Sequence, residues 1–344
     1  MKTLRVGIVG CGTIFPMHAQ SLKNVKGVEL AAVCDIRMAR AKERSRAHGC
    51  GAYRDYRTML KRERLDAVHI CTPHYLHAPM AIEAARMGVN VLLEKPMAIT
   101  PKDARRAMRA AKEHGVALGV IFQNRFNPGS RLVKENLENG RLGKLKAARV
   151  VLSYHKPDEF YEKSDWKGTW DKEGGGVVID QAIHFIDLLR WFADDAVEYV
   201  EAHVSNRMHR HIEVEDCAEG VIKFRKGAYV CFYLMNFYSY DDDVEVELDC
   251  EKGRVNIVKD SATIGLYDGR RLSAAPKRNE RIDYGDGRKD YWGYCHYKQI
   301  KEFYDALRRK REPAVNGAEG LKTQEIVWAI YESSRRRKRI YLRA

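Results

Sequence analysis

Two segments of this 344-residue chain bring together side chains that handle protons and negative charge. The first is Val91-Leu92-Leu93-Glu94-Lys95-Pro96, an apolar run that ends in two opposite charges and a proline. Charges at the carboxyl end of a strand in an open parallel sheet point into the ligand crevice. Pro96 fixes the turn and restricts Lys95 to extended backbone. An ammonium group held there can stabilise a developing oxyanion. The second segment is Gly174-Gly175-Gly176-Val-Val-Ile-Asp180-Gln181-Ala-Ile-His184-Phe-Ile-Asp187. Asp180 and His184 stand at i and i+4, so they share one helix face, and Asp187 follows at i+3 from His184. An imidazole titrates near neutrality and suits proton transfer. The glycines allow close backbone approach and are expected to leave N–H groups free. The same spacing also suits a packed helix with a satisfied Asp/His pair, with Ile179, Ile183, Ile186 and Leu189 as its apolar face.

A third segment points to a phosphate ligand. Gly7-Ile-Val-Gly10-Cys-Gly12-Thr13-Ile14-Phe15 lies between an apolar strand and a helix. Gly10 and Gly12 give a tight turn in which backbone N–H groups, with Thr13 and Ile14 opening the helix, approach a pyrophosphate. Phe15 stands where the dinucleotide fingerprint has its third glycine. Asp35 ends the next apolar strand, where a carboxylate accepts hydrogen bonds from ribose hydroxyls. It repels a ribose 2′-phosphate, so NAD is expected over NADP, although Arg37 and Arg40 partly offset that charge.

These residues need elements to position them. Arg5–Val9, Val28–Cys34, Leu65–Cys71, Val89–Leu93 and Val116–Phe122 read as short apolar strands separated by helices, the pattern of a parallel sheet buried on both faces. After residue 122 the rhythm changes. Helices are expected around Ser130–Asn139 and Val178–Phe192. Alternating strands follow at Val197–Ser205, Cys217–Phe224, Ala228–Tyr238, Val244–Cys250 and Arg254–Val258, and two helices close the chain. The expected class is α/β, in two domains. A doubly wound parallel domain spans 1–122, and an α+β domain with an open, mostly antiparallel sheet spans 123–344. One helix of the first domain is expected to begin at Pro79, and the helix from Val178 is expected to run unbroken.

Composition narrows the partners. The chain carries 61 Lys and Arg against 47 Asp and Glu, a net charge of +14, and such a field attracts anions. The basic residues are dispersed apart from Lys61–Arg64 and Arg335–Arg339, and no nucleic-acid-reading motif accompanies them, so nucleic acid is not an expected partner. No apolar run approaches the ~18 residues of a membrane span. The opening Met1-Lys2-Thr3-Leu4 resembles no secretory signal, and the eight cysteines include no C-x-x-C pair. The expectation is a cytoplasmic protein with reduced thiols and no metal site. His203, His209 and His211 read as surface residues.

Taken together, the motifs resemble the Gfo/Idh/MocA family of sugar oxidoreductases. They are Gly10-Cys11-Gly12 with His18, Asp35, Cys71-Thr72-Pro73 with His77, Glu94-Lys95-Pro96, and Gly174–Gly176 with Asp180 and His184. Tyr291-Trp292-Gly293-Tyr-Cys-His296 and Ile330-Tyr331-Glu332-Ser333-Ser334 also match. His74 departs from the family pattern, which often has Asn there. The resemblance implies an N-terminal Rossmann domain whose cofactor contacts include Gly10, Gly12, Thr13, Ile14, Asp35, Arg40, Thr72, Pro73, His77, Glu94 and Lys95. It implies NAD(P)-dependent hydride transfer at a secondary hydroxyl of a sugar, inositol or sugar derivative. Lys95 would contact the reacting oxygen, His184 would take or give its proton, and Asp180 would bind substrate hydroxyls. Arg125 is placed either on substrate or in an interdomain salt bridge. Trp166, Lys167 and Trp170 either cover a sugar face or cofactor, or the two rings belong to the core. His296 is a further substrate candidate. The second-domain sheet would pair copies into a homodimer or homotetramer. Two alternatives use the same residues: a hydrolase- or lyase-like relative that oxidises transiently with bound NAD, and a nucleotide sensor without catalysis.

Overall fold

A computed structural model describes residues 3–277 and 294–343. Within it, residues 3–123 with 294–321 form one compact unit, and 124–277 with 322–343 form a second. Among the described residues no helix is long and apolar enough to cross a membrane.

The first unit alternates strand and helix: β1 (Leu4–Val9), α1 (Phe15–Lys23), β2 (Val28–Cys34), α2 (Met38–His48), β3 (Gly51–Tyr53), α3 (Tyr56–Arg62), β4 (Ala67–Ile70), α4 (His74–Arg86), β5 (Asn90–Leu93), α5 (Pro101–Glu113) and β6 (Leu118–Val120). All six strands run parallel in the order β3-β2-β1-β4-β5-β6. The order reverses between β1 and β4, which opens a crevice at their carboxyl ends. The strands are apolar because both sheet faces are covered: every residue of β4 is buried. α4 starts at His74, ahead of the expected Pro79, which lies inside it. Pro79 is exposed, so its missing N–H faces no buried acceptor.

Residues 294–321 lie in this first unit, not in the second domain as expected. The reason is hydrophobic. Ile300, Phe303 and Tyr304 of the helix Tyr294–Arg308 are fully buried in one cluster with Ile8, Phe15, Leu22 and Val33. Each such side chain contributes about 1.5–3 kcal/mol on burial. Gln299 of the same helix serves the backbone just past β6: its amide donates to Val120 O at 2.7 Å and accepts from Phe122 N–H at 3.0 Å.

The second unit holds α6 (Pro128–Glu138), β7 (Leu145–Ser153), α7 (Asp158–Glu162), a π-helical turn (Val178–Ala182), α8 (Ile183–Ala193), β8 (Val197–Ser205), β9 (Cys217–Phe224), β10 (Tyr229–Met235), β11 (Glu245–Cys250), β12 (Gly253–Val258), β13 (Ser261–Leu266), β14 (Arg271–Ala274) and β15 (Ile340–Tyr341). Its nine-stranded sheet has the order β14-β13-β12-β11-β7-β10-β9-β8-β15. Among the described residues only β7 and β10 of this sheet pair in parallel; the other pairs are antiparallel, as expected for an open, mostly antiparallel sheet. α6 and α8 pack against this sheet. Along β10 alternate residues Tyr229, Cys231 and Tyr233 are exposed while Val230, Phe232 and Leu234 are buried, so one sheet face is open. β7 was not foreseen. Its inward residues Ala148, Val150 and Leu152 alternate with exposed Lys146, Ala147, Arg149 and Val151, a pattern the charges disguise.

Candidate active site

β1 delivers the chain to Gly10, whose φ of 97° lies in the left-handed region. A Cβ there would come within 2.3 Å of the Cys71 carbonyl oxygen, so glycine is needed for the turn to lie against the end of β4. A Cβ on Gly12 would meet nothing within 4 Å, which leaves room beside the turn. Thr13 is exposed, and no side chain caps α1 at Ile14. The positive end of this helix and its opening N–H groups suit a phosphate. Asp35 is buried at the end of β2. Its carboxylate accepts from Cys11 N–H at 3.0 Å and Arg37 N–H at 2.8 Å, with the Arg40 guanidinium 3.4 Å away. It is thereby aimed where a ribose would donate to it. Phe15 is accommodated by the core, edge-on to His48 and beneath Arg44. The residues present fit a dinucleotide.

β5 ends at Leu93, and the two charges that follow diverge in environment. Glu94 is buried. Its Oε1 lies 2.7 Å from His18 Nε2 and 3.4 Å from His296 Nε2. Behind them, His18 Nδ1 is 2.8 Å from His69 Nδ1, and His69 Nε2 is 2.7 Å from the Tyr304 hydroxyl. With neutral rings one assignment satisfies this array. Tyr304 O–H donates to His69, His69 Nδ1–H to His18, and His18 Nε2–H to Glu94. Burial pushes the His18 pKa down and that of His69 well down. Burial would raise Glu94, but the hydrogen bonds from His18 and His296 outweigh it and hold the carboxyl well below its usual range. Glu94 is thus an anion fixed in the core, and Lys95, next in sequence, is half-buried at the crevice end. His77 steadies the same corner, with Nδ1 2.7 Å from Pro96 O and Nε2 2.8 Å from Thr72 O. Both partners are carbonyls and favour the protonated ring, whereas burial dominates and pushes its pKa down.

In the second unit the glycine segment does something unforeseen. The Gly176 and Val178 N–H groups donate to the Glu215 carboxylate at 2.9 and 3.0 Å, and Val177 N–H donates to the Glu215 carbonyl. These N–H groups are therefore not free for a ligand, because an acid from a distant loop caps them. The glycines permit the approach: a Cβ on Gly176 would overlap Glu215 O, and one on Gly175 (φ 143°) would overlap the Tyr331 hydroxyl. Tyr331 also donates to Glu215 at 3.0 Å. Burial pushes Glu215 up to about 7, against these hydrogen bonds.

Asp180 stands in the π-helical turn and His184 one turn later in α8. The expected unbroken α-helix is therefore widened where Asp180 sits, a feature frequent at functional sites. The Asp180 carboxylate accepts from Lys167 Nζ at 2.9 Å and from Gln181 Nε2 at 2.6 Å. Trp166 is half-buried under the Lys167 ammonium, 4.5 Å from its ring centre. Trp170 is exposed and edge-on to Tyr331.

Several placements correct expectation. Arg125 is buried, and its guanidinium grips Asp187 through two contacts of 2.6 Å. Thr323 donates to the same carboxylate, so Arg125 forms an ion pair inside the second unit. Asp187 accordingly turns to Arg125 and not to His184. His296 is buried against Glu94. His209, expected on the surface, is buried between Asp216 and the Lys156 carbonyl. Tyr291, Trp292 and Gly293 lie outside the described residues. Sequence reasoning passed over Glu215, His69 and Tyr304, and it gave Lys167 no acidic partner. A histidine inside the otherwise apolar strand β4 was the available signal for His69; an acid between two strands gave almost none for Glu215.

Comparison with known proteins places this geometry. Residues 4–122 match the model of an oxidoreductase family with an NAD-binding Rossmann fold. Residues 130–256 match that of the GFO/IDH/MocA C-terminal domain. The chain is 26% identical to the myo-inositol 2-dehydrogenase of Thermotoga maritima, over 98% of both chains. It is 32% identical to the D-glucoside 3-dehydrogenase of Escherichia coli, over 65% of this chain and 68% of that one. Among solved structures it is similar to the WlbA dehydrogenase of Bordetella pertussis in complex with NADH and UDP-GlcNAcA. There the TM-score is 0.85 and the identity 31%, over 100% of both chains. The chain belongs to the Gfo/Idh/MocA family of NAD-binding oxidoreductases.

Proposed function

We propose that this protein is an NAD-dependent dehydrogenase acting on a secondary hydroxyl of a sugar, inositol or sugar derivative. The observation that carries it lies within one parallel sheet. The dinucleotide turn at Gly10 and the half-buried Lys95 stand at the carboxyl ends of β1 and β5. When bound, the nicotinamide supplies the acceptor for hydride. Lys95 stabilises negative charge on the carbinol oxygen. His184 takes the hydroxyl proton, and Asp180 holds and orients substrate hydroxyls. Thr72, Pro73 and His77 shape the cofactor side of the crevice, and Glu94 anchors the turn that carries Lys95. Asp35 favours NAD, while Arg40 beside it leaves NADP accessible.

The named relatives act on inositol and glucosides. The net charge of +14 and the likeness to a dehydrogenase solved with UDP-GlcNAcA favour a sugar carrying negative charge as the preferred member of the class. The test is NADH formation by the purified protein with NAD, then NADP, across cyclitols, free sugars, sugar acids and nucleotide sugars. Reduction with one substrate class is expected. Tight nucleotide retention with no reduction across the panel would point instead to transient oxidation without net redox change.

We further propose that the open sheet face pairs copies of the chain. Val151, Tyr229 and Tyr233 expose 39%, 43% and 36% of their surface on neighbouring strands, an apolar and aromatic strip suited to burial. The eight cysteines are free thiols, which supports a reducing, cytoplasmic setting.

A further inference from the structure

Lys167 is a cation the chemistry above does not use. It leaves a loop in which Gly168 (φ 76°) makes the turn, and it crosses between two rings, 4.5 Å from the centres of both Phe160 and Trp166. Its ammonium ends 2.9 Å from Asp180 and 3.3 Å from Glu173. Glu173 is sealed, with 1% of its side chain exposed, whereas Lys167 and Asp180 keep 16% and 12%. The pair therefore borders open space at the end that carries Asp180. An ammonium buried against two acids makes a poor staple, because the hydration it loses can exceed what the ion pair returns. The grouping makes better sense as a device for holding Asp180 ionised and in one rotamer beside a second acid. Tyr161 and Gln181 complete the surroundings. Tyr161 accepts from Asn236, and Gln181 donates to Asp180.

We propose that Lys167 is a positioning residue for the reaction, acting through Asp180; the inference rests on the assignment of Asp180 and His184 given above. Burial alone opposes charge on Lys167, but Asp180 and Glu173 outweigh it and keep the ammonium charged. Burial already pushes Glu173 up to about 7 against the pull of Lys167; without the ammonium the proton would be shared between the Glu173 and Asp180 carboxyls, and Asp180 would lose the partner that fixes its rotamer. A protonated or swung Asp180 no longer accepts from substrate hydroxyls.

The experiment is a double-mutant cycle on the full chain, using the sugar or polyol with the highest rate in the panel. Its four members are wild type, Lys167→Met, Asp180→Asn and the combined variant, with Lys167→Arg as the conservative control. Lys167→Met is expected to lower kcat/KM roughly 10- to 100-fold, the scale of a misplaced reacting group. NADH affinity should be unchanged and Lys167→Arg should keep most of the activity. The combined variant should be no slower than Asp180→Asn alone, since both act on one group. Additive losses, or a Lys167→Met variant as fast as wild type beside an impaired Asp180→Asn, would overturn the role of Lys167 alone. An Asp180→Asn variant as fast as wild type would overturn the assignment of Asp180, and this inference with it. Should Lys167→Met fail to fold, Lys167→Gln takes its place in the cycle.

Discussion

The proposed chemistry assigns Lys95 the charge on the carbinol oxygen and His184 its proton. Replacing either should cost turnover and spare nucleotide binding. Lys95→Met and His184→Ala are each expected to lower kcat by roughly 10²-fold or more. The NADH dissociation constant, read from fluorescence titration, should change little. Wild-type turnover in either variant would remove that residue from the chemistry. Arg125 offers the opposite case at this scale. Its type and position left open a substrate contact or an interdomain salt bridge, and its guanidinium pairs with Asp187 of the same unit. A charged side chain read from sequence has no visible partner, and only packing reveals that the partner is internal.

At the scale of elements, the fold and the site differed in how far they could be read. Five of the six strands of the first unit were legible because a sheet buried on both faces demands continuous apolar runs, as β4 and β5 show, whereas the half-buried edge strand β3, only three residues long, was not. The dinucleotide turn was legible because Gly10 and Asp35 answer local requirements of one βα turn. β7 was hidden because its outward face carries Lys146 and Arg149. The cap on the glycine segment was hidden because Glu215 arrives from a loop far along the chain. That cap gives two expectations. Gly176→Ala should destabilise the fold strongly, since its Cβ would collide with backbone at Glu215, and a lowered Tm in thermal melting checks this. Unchanged Tm would mean the segment can move aside.

Glu215 also sets a pH dependence. Its pKa is raised from 4.5 to about 7 by burial. The unfolded chain gives up this proton earlier as pH rises, so the stability it contributes is present in full below 4.5. That contribution is lost as pH climbs through about 7, by on the order of 3 kcal/mol. The stability difference between wild type and Glu215→Gln, from urea unfolding at about pH 5 and about pH 8, should therefore shift against wild type on going up. A difference that stays constant would show that the three hydrogen bonds to Glu215 cancel the effect of burial.

The whole molecule adds partners and cofactor. If the open face of the nine-stranded sheet joins copies, Tyr233→Glu with Val151→Glu should shift the mass found by light scattering towards the monomer. A wild type that is already monomeric, or a variant of unchanged mass, would contradict that arrangement. Net hydride transfer from a carbinol to NAD can be followed by isotope transfer. A substrate carrying deuterium at the reacting carbon is incubated with protein and NAD, and both products are analysed by mass spectrometry. Deuterium should appear in the reduced nucleotide, in step with formation of a ketone. Deuterium that stays in the sugar or is returned to it, with no reduced nucleotide accumulating, would contradict a dehydrogenase and favour transient oxidation on a retained cofactor.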